Sequence, residues 1–259
     1  MPLAVRDRAF TPVELERMRL LLSTFGDGSG QRVKAGFMPN FLSFERVTAY
    51  VVGGATNEDK SVFDVSVPGG LGRVAWGVSC KMTASQPPKN RCWFMELSNS
   101  AKKLNDAVAA AGIASWSRDP SGAGPVLVET VGSWHDAERG TYDVDASKYL
   151  LLTHCSSWRF FEIACFNVNV LTRVEAADVD WRVEGRRGKA SSLAGYIDAE
   201  RGKHRLWQWY PDSGGQLKLF PPIGWEEWRT GPFELSRPPV KDMKDRVNEY
   251  WPGQWPDTE

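Results

Sequence analysis

Between Val62 and Met82 the chain holds two short apolar runs around one tight turn, and this segment leaves little choice in what can be built on it. In the second run Val74, Trp76, Val78, Cys80 and Met82 alternate with Ala75, Gly77, Ser79 and Lys81. Side chains of a strand point alternately to opposite faces, so one face is large and apolar and the other small and polar. Pro68-Gly69-Gly70 between the runs supplies the turn of a hairpin. The apolar face needs cover from helices, while the small face leaves room for something to approach the backbone closely. In the first run Val62, Asp64 and Ser66 share a face, and pairing the runs sets Asp64 beside Ser79 and Lys81.

Helices are expected on both sides of this hairpin in the chain. Thr11-Pro12-Val13-Glu14 offers an N-cap, a proline at the first helical position and a capping-box glutamate. A second helix is expected from Asn40 to Val52, with Phe41, Phe44, Val47 and Val51 as its buried stripe. Glu45 lies off that stripe, either facing solvent or pointing along the sheet edge toward Asp64. A third helix is expected on Trp93, Leu97, Ala101, Leu104 and Val108, stopping at Gly112, with Glu96 near its start. Residues 114–146 read as loop with one strand at Val126–Val131, followed by strands Lys148–Cys155 and Trp158–Val170. The expected fold is α/β (α+β), a central mixed five-stranded sheet flanked by helices over residues 1–175. Residues 176–259 form a Trp-rich extension of the same compact domain, with a strand at Trp207–Tyr210 and tail segments packed on the core surface.

Composition excludes several classes. Hydrophobic residues at 42% and charged residues at 25% are ordinary for a globular protein. No apolar run is long enough to span a membrane, and the first residues lack a signal-peptide core, so a cytoplasmic protein is expected. Cys80, Cys92, Cys155 and Cys165 form no C-x-x-C pair, which argues against a zinc site or a disulfide framework. Formal net charge is zero, yet residues 181–210 hold seven Lys/Arg against three acids. That segment is either a solvated basic surface or one that touches phosphate.

Two acids and a lysine gathered by a hairpin and the next helix suit a divalent ion and an activated water, the requirements of phosphodiester cleavage. In this reading Asp64 and Glu96 bind the metal with the backbone carbonyl of Cys80. Lys81 positions the water and the scissile phosphate, and Glu45 supports a second metal or holds Lys81. Glu162 is an alternative second acid. The order Glu45, Asp64, Ser79-Cys80-Lys81, Glu96 resembles the PD-(D/E)xK nuclease superfamily. Ser79 stands where the common pattern has an acid. A branch of type II restriction endonucleases has the same Ser-x-Lys strand, with the missing acid supplied by the following helix. Phe63 replaces the usual proline. The likeness covers residues 40 to 112.

The resemblance implies a restriction-endonuclease-like core, Mg2+ as cofactor, double-stranded DNA as substrate and a homodimer or tetramer. It also implies that the segment after the lysine enters the major groove, where Gln86, Lys89, Asn90 and Arg91 suit base edges. Arg186, Arg187 and Lys189 suit phosphates. The twelve tryptophans are packing residues or, for a minority, base-stacking ones. A repair or junction nuclease of the same superfamily, or a catalytically silent DNA-binding protein, is the alternative expectation.

Overall fold

The structure is a computed structural model that describes residues 3–57, 61–70, 72–84, 92–98, 101–186, 189–199, 202–212 and 214–256. Its N-terminal helices form where their caps predict. Helix α1 (Pro12–Thr24) has Thr11 as N-cap, closed by Glu14 in a capping box. Glu14 also takes a two-pronged bond from Arg8, at 2.6 and 2.9 Å. Helix α2 (Phe41–Val52) is capped by Asn40 and Ser43 and ends at Gly53, whose φ of 70° suits a residue without a Cβ.

The main sheet is mixed, with seven strands among the described residues rather than five. It contains β3 (Ala55–Thr56), β4 (Val65–Val67), β5 (Trp76–Thr83), β7 (Lys148–His154), β8 (Phe160–Asn167), β13 (Trp228–Arg229) and β14 (Phe233–Glu234). The order is β13-β8-β7-β5-β4-β3, and β14 also pairs with β8. The expected hairpin is β4 with β5, antiparallel, with Val65 opposite Val78 and Ser66 opposite Gly77. Strand β5 runs parallel to β7. A small ribbon, β1 (Gln31–Val33) with β2 (Gly36–Met38), lies between the first two helices in the chain.

Each face of the main sheet has its own core. On one, Met18 and Leu22 of α1 and Phe44 and Val47 of α2 pack against Trp76, Val78, Leu150 and Ile163. On the other, Phe63, Leu151 and Phe166 pack against two helices and a second sheet. The helices are α3 (Ala101–Ala110) and α4 (Pro120–Asp136). The second sheet is antiparallel, in the order β6 (Met95–Ser98), β12 (Gln216–Leu219), β11 (Gly202–Tyr210), β10 (Lys189–Ala199), β9 (Asp180–Arg186). It turns Trp207, Trp209, Leu217 and Leu219 inward.

Three expectations are corrected here. The segment after residue 176, expected as an extension with one strand at Trp207–Tyr210, supplies four strands of the second sheet and, through β13 and β14, an edge of the first. Residues 126–131 are helical. Asp119 caps α4, Pro120 opens it, and its buried face is Ala123, Leu127, Val128, Val131 and His135. The helical spacing of that face outweighs the β-branched run. Gly124 lies so near the Trp181 ring that a Cβ there would stand 2.0 Å from it. The third expected helix splits: Trp93, Met95 and Leu97 alternate as a strand does, and only Ala101–Ala110 is helical.

A last helix, α5 (Met243–Tyr250), is capped by Asp242. Among the described residues no helix is long and apolar enough to cross a membrane.

Candidate active site

Strand β4 begins only at Val65, opposite Val78, while β5 continues to Thr83, so the second half of β5 has no β4 residue beside it. Asp64 stands at that gap. Its backbone N–H donates to the Val78 carbonyl at 3.0 Å. Its Oδ2 accepts from the Cys80 backbone N–H at 2.7 Å and from the Ser79 hydroxyl at 3.3 Å. Ser79 thus helps to hold the aspartate. In a strand the N–H and C=O of one residue point to the same edge. The Cys80 carbonyl therefore faces the gap, alongside the N–H that binds Asp64.

Lys81 is half-buried on the opposite face from the apolar residues of β5, in register with Leu151. Glu45 comes from α2, on the other side of the sheet, and reaches the gap past the end of β4. Its carboxyl is pushed up to about 7, first by burial and then by the negative charge of Asp64, with Lys81 and Arg46 pulling the other way. Asp64 is also raised, because burial outweighs Lys81 and the two hydrogen bonds. Of the two readings of Glu45, the one that turns it toward Asp64 describes the structure.

This titration has a sign. The Glu45 carboxyl ionises near 4.3 in an unfolded chain and at about 7 when folded. Between those values the folded state holds the extra proton, so stability falls as pH rises from about 4.3 through 7. In EDTA, Glu45→Gln should therefore raise the melting temperature at pH 8 by about 2–4 °C, the effect of ~1 kcal/mol after discounting for partial exposure. The gain should vanish near pH 4. Calorimetry across that range checks this, and a gain independent of pH would mean that Glu45 is solvated.

Glu96 is elsewhere. It lies on β6, opposite Lys218 of β12, and alternates with buried Trp93 and Met95, which places it on the outer face of the second sheet. The charges that act on Asp64 and Glu45 do not include it. The second carboxylate at Asp64 is Glu45. Glu162 is buried on β8, opposite Thr153, and is influenced by Arg229 and Glu226 rather than by the Asp64 group.

The gap has a floor that the sequence reading missed. Tyr149, on β7 opposite Ser79, places its hydroxyl 2.8 Å from Nε2 of His135 on α4. His135 Nδ1 is 2.8 Å from the Val131 carbonyl. A carbonyl only accepts, so Nδ1 carries the proton and Nε2 accepts from the tyrosine. Burial, followed by the nearby Lys81 charge, depresses the histidine. A tyrosine and a histidine in otherwise apolar stripes were the available signals.

Gln86, Lys89, Asn90, Arg91 and Arg187 lie outside the described residues. Arg186 and Lys189 face each other across the β9–β10 hairpin, described in backbone only. Several cations of the 181–210 segment are paired: Arg182 with Asp180, Lys203 with Asp198 at 3.0 Å and Arg205 with Glu184 at 3.3 Å. Among the described residues no group of three or more His, Cys, Asp and Glu is placed to hold a metal ion. Two carboxylates and a strand-edge carbonyl nevertheless fit magnesium, which takes one or two carboxylates and fills its shell with water and phosphate. A divalent ion would also cancel the repulsion that raises Glu45. No protein-family model, curated protein or solved structure matches this chain.

Proposed function

We propose that the chain is a magnesium-dependent nuclease that cuts double-stranded DNA at specific sites, in the manner of a type II restriction endonuclease. The observation that carries this is the meeting of Asp64, Lys81 and Glu45 at the gap beside β5, with Ser79 and Cys80 fixing the aspartate. Asp64, Glu45 and the Cys80 carbonyl would hold the magnesium ion, with Glu45 in the place expected for Glu96. The ion, when bound, would polarise the phosphate and lower the pKa of a bound water.

The chain's own part is positional and electrostatic. Lys81 orients the attacking water and offsets charge that grows on the phosphate oxygens. Ser79 and the Cys80 N–H keep the Asp64 carboxylate turned into the gap. Two copies related by a two-fold axis would read a palindrome and cut both strands.

Supercoiled plasmid incubated with the protein and magnesium should give discrete fragments, and none in EDTA. A smear would replace site-specific cutting by general nuclease action. An uncut plasmid that is still shifted on a gel would leave a DNA-binding protein without chemistry, which is the reading favoured if two carboxylates are too few.

A further inference from the structure

We propose that the outer face of the second sheet binds an unpaired stretch of nucleic acid, with one base in a pocket ringed by Phe94, Phe220 and Tyr210 and its phosphate on Lys218 and Arg205. The pocket has a volume of about 280 Å3. That is below the roughly 300–1,000 Å3 of drug-sized sites and suits one planar base. Phe94 and Phe220 form a stacked pair, with centroids 5.3 Å apart and planes at 29°. The Lys218 ammonium lies 4.7 Å from the Tyr210 ring centre and 5.5 Å from that of Phe94. The Arg205 guanidinium lies 5.2 Å from the Phe220 ring. Among the described residues no carboxylate lines the pocket. Glu96 stands opposite Lys218 on β6 but outside the lining.

The occupant this chemistry selects is both planar and anionic. Lys218 makes no ion pair among the described residues, and its charge rests on ring faces instead. A cation over an exposed ring is a weak contact, whereas a base stacked on an aromatic ring is a stronger one. A nucleotide makes the exchange favourable on both counts: its phosphate draws the ammonium off the rings, and its base covers the faces so exposed. Gln208 is buried and donates to Glu184 and Ser192. Glu184 also holds Arg205, so the pocket wall is already fixed without ligand. A second cation on a ring, Arg182 on Tyr196 at 5.4 Å, lies further along the same sheet. Asp180 already holds that arginine, which makes the first pocket the stronger of the two. Paired bases keep their faces stacked inside the helix, so a duplex cannot use these rings.

This site goes beyond the proposed cleavage and does not depend on it, because binding is measured without metal. The probe is a fluorescein-labelled twelve-residue thymidylate, titrated with the full chain in EDTA and followed by anisotropy. The wild type should bind saturably. Lys218→Gln should weaken binding about tenfold and lower the salt slope by about 0.7, the share of one phosphate contact on a single strand. Phe220→Leu and Tyr210→Leu should each weaken it about tenfold, within the range for one lost stack. Melting curves show whether each variant is folded, and Lys218→Gln alone carries the test if the ring variants are not. No binding by the wild type would overturn the proposal. So would Lys218→Gln or folded Tyr210→Leu binding as tightly as wild type, or a blunt twelve-pair duplex competing as well as the single strand.

Discussion

Asp64→Asn should abolish plasmid cleavage, by at least about 10³-fold, while the protein melts at or above the wild-type temperature. Loss on that scale is about 4 kcal/mol of barrier, the contribution expected when an anchored charge at the reacting phosphate is removed. The stability half follows from the site's electrostatics. Burial already outweighs everything that favours the Asp64 charge. An asparagine oxygen still accepts from the Cys80 N–H and the Ser79 hydroxyl, so the local structure keeps its bonds and sheds a costly charge. Lys81→Met should lower cleavage by about 10²–10³-fold and behave in the opposite way on melting. Without the lysine, Asp64 and Glu45 lose the cation that both use, and the variant should melt below wild type at pH 8. Cleavage rates on plasmid paired with thermal melts check both. Full activity in Asp64→Asn, or melting shifts of the same sign in the two variants, would remove the basis of the assignment.

What could be read from the chain alone divides by the distance over which each feature is decided. Helices α1 and α2 are set by their own caps, Thr11 with Glu14 and Asn40 with Ser43, and both lie where those residues predict. The β4–β5 hairpin is likewise local, and with it came Asp64 beside Ser79. Glu45 needed one tertiary fact, the late start of β4, to choose between its two readings. Glu96 needed a distant one. Its segment has apolar residues at both periods, and only Lys218, on a strand more than a hundred residues later, selects the alternating one. The run Val126–Val131 looks like a strand by propensity, but Leu127, Val128 and Val131 extend the helical face of α4 that packs on Trp181 and the main sheet. The five-stranded expectation for the main sheet failed for the same reason: its added edge strands β13 and β14 are two residues each, too short to carry a period. Local signals therefore set the hairpin that carries Asp64 and Lys81, while which further acid comes near Asp64 belonged to long-range packing.

Gly77→Ala should be strongly destabilising, costing about 3 kcal/mol, the upper end for overpacking a core. In a chain of this size that lowers the melting temperature by about 6–12 °C. The small face of β5 left room for something to approach, and the approaching group is the Phe63 ring. A Cβ on Gly77 would stand 2.1 Å from its Cγ and 2.4 and 2.5 Å from the two Cδ atoms. The ring has nowhere to retreat. It is fully buried, edge-on to Tyr142 at 5.2 Å and to His135 at 5.9 Å. Displacing it moves the backbone of the next residue, Asp64, whose N–H is tied to Val78. Cleavage should therefore fall with stability, even at temperatures where Gly77→Ala is folded. The pairing is testable as a cycle. Phe63→Ala alone removes a large buried ring and costs about 3–5 kcal/mol. Adding Gly77→Ala to it should cost almost nothing further, because the clash has gone, which gives a coupling of about 2–3 kcal/mol. Urea unfolding of the four proteins at equal m-value reads that coupling. If the two costs simply add, the ring does not rest on Gly77, and Phe63 has no part in holding Asp64 at the gap.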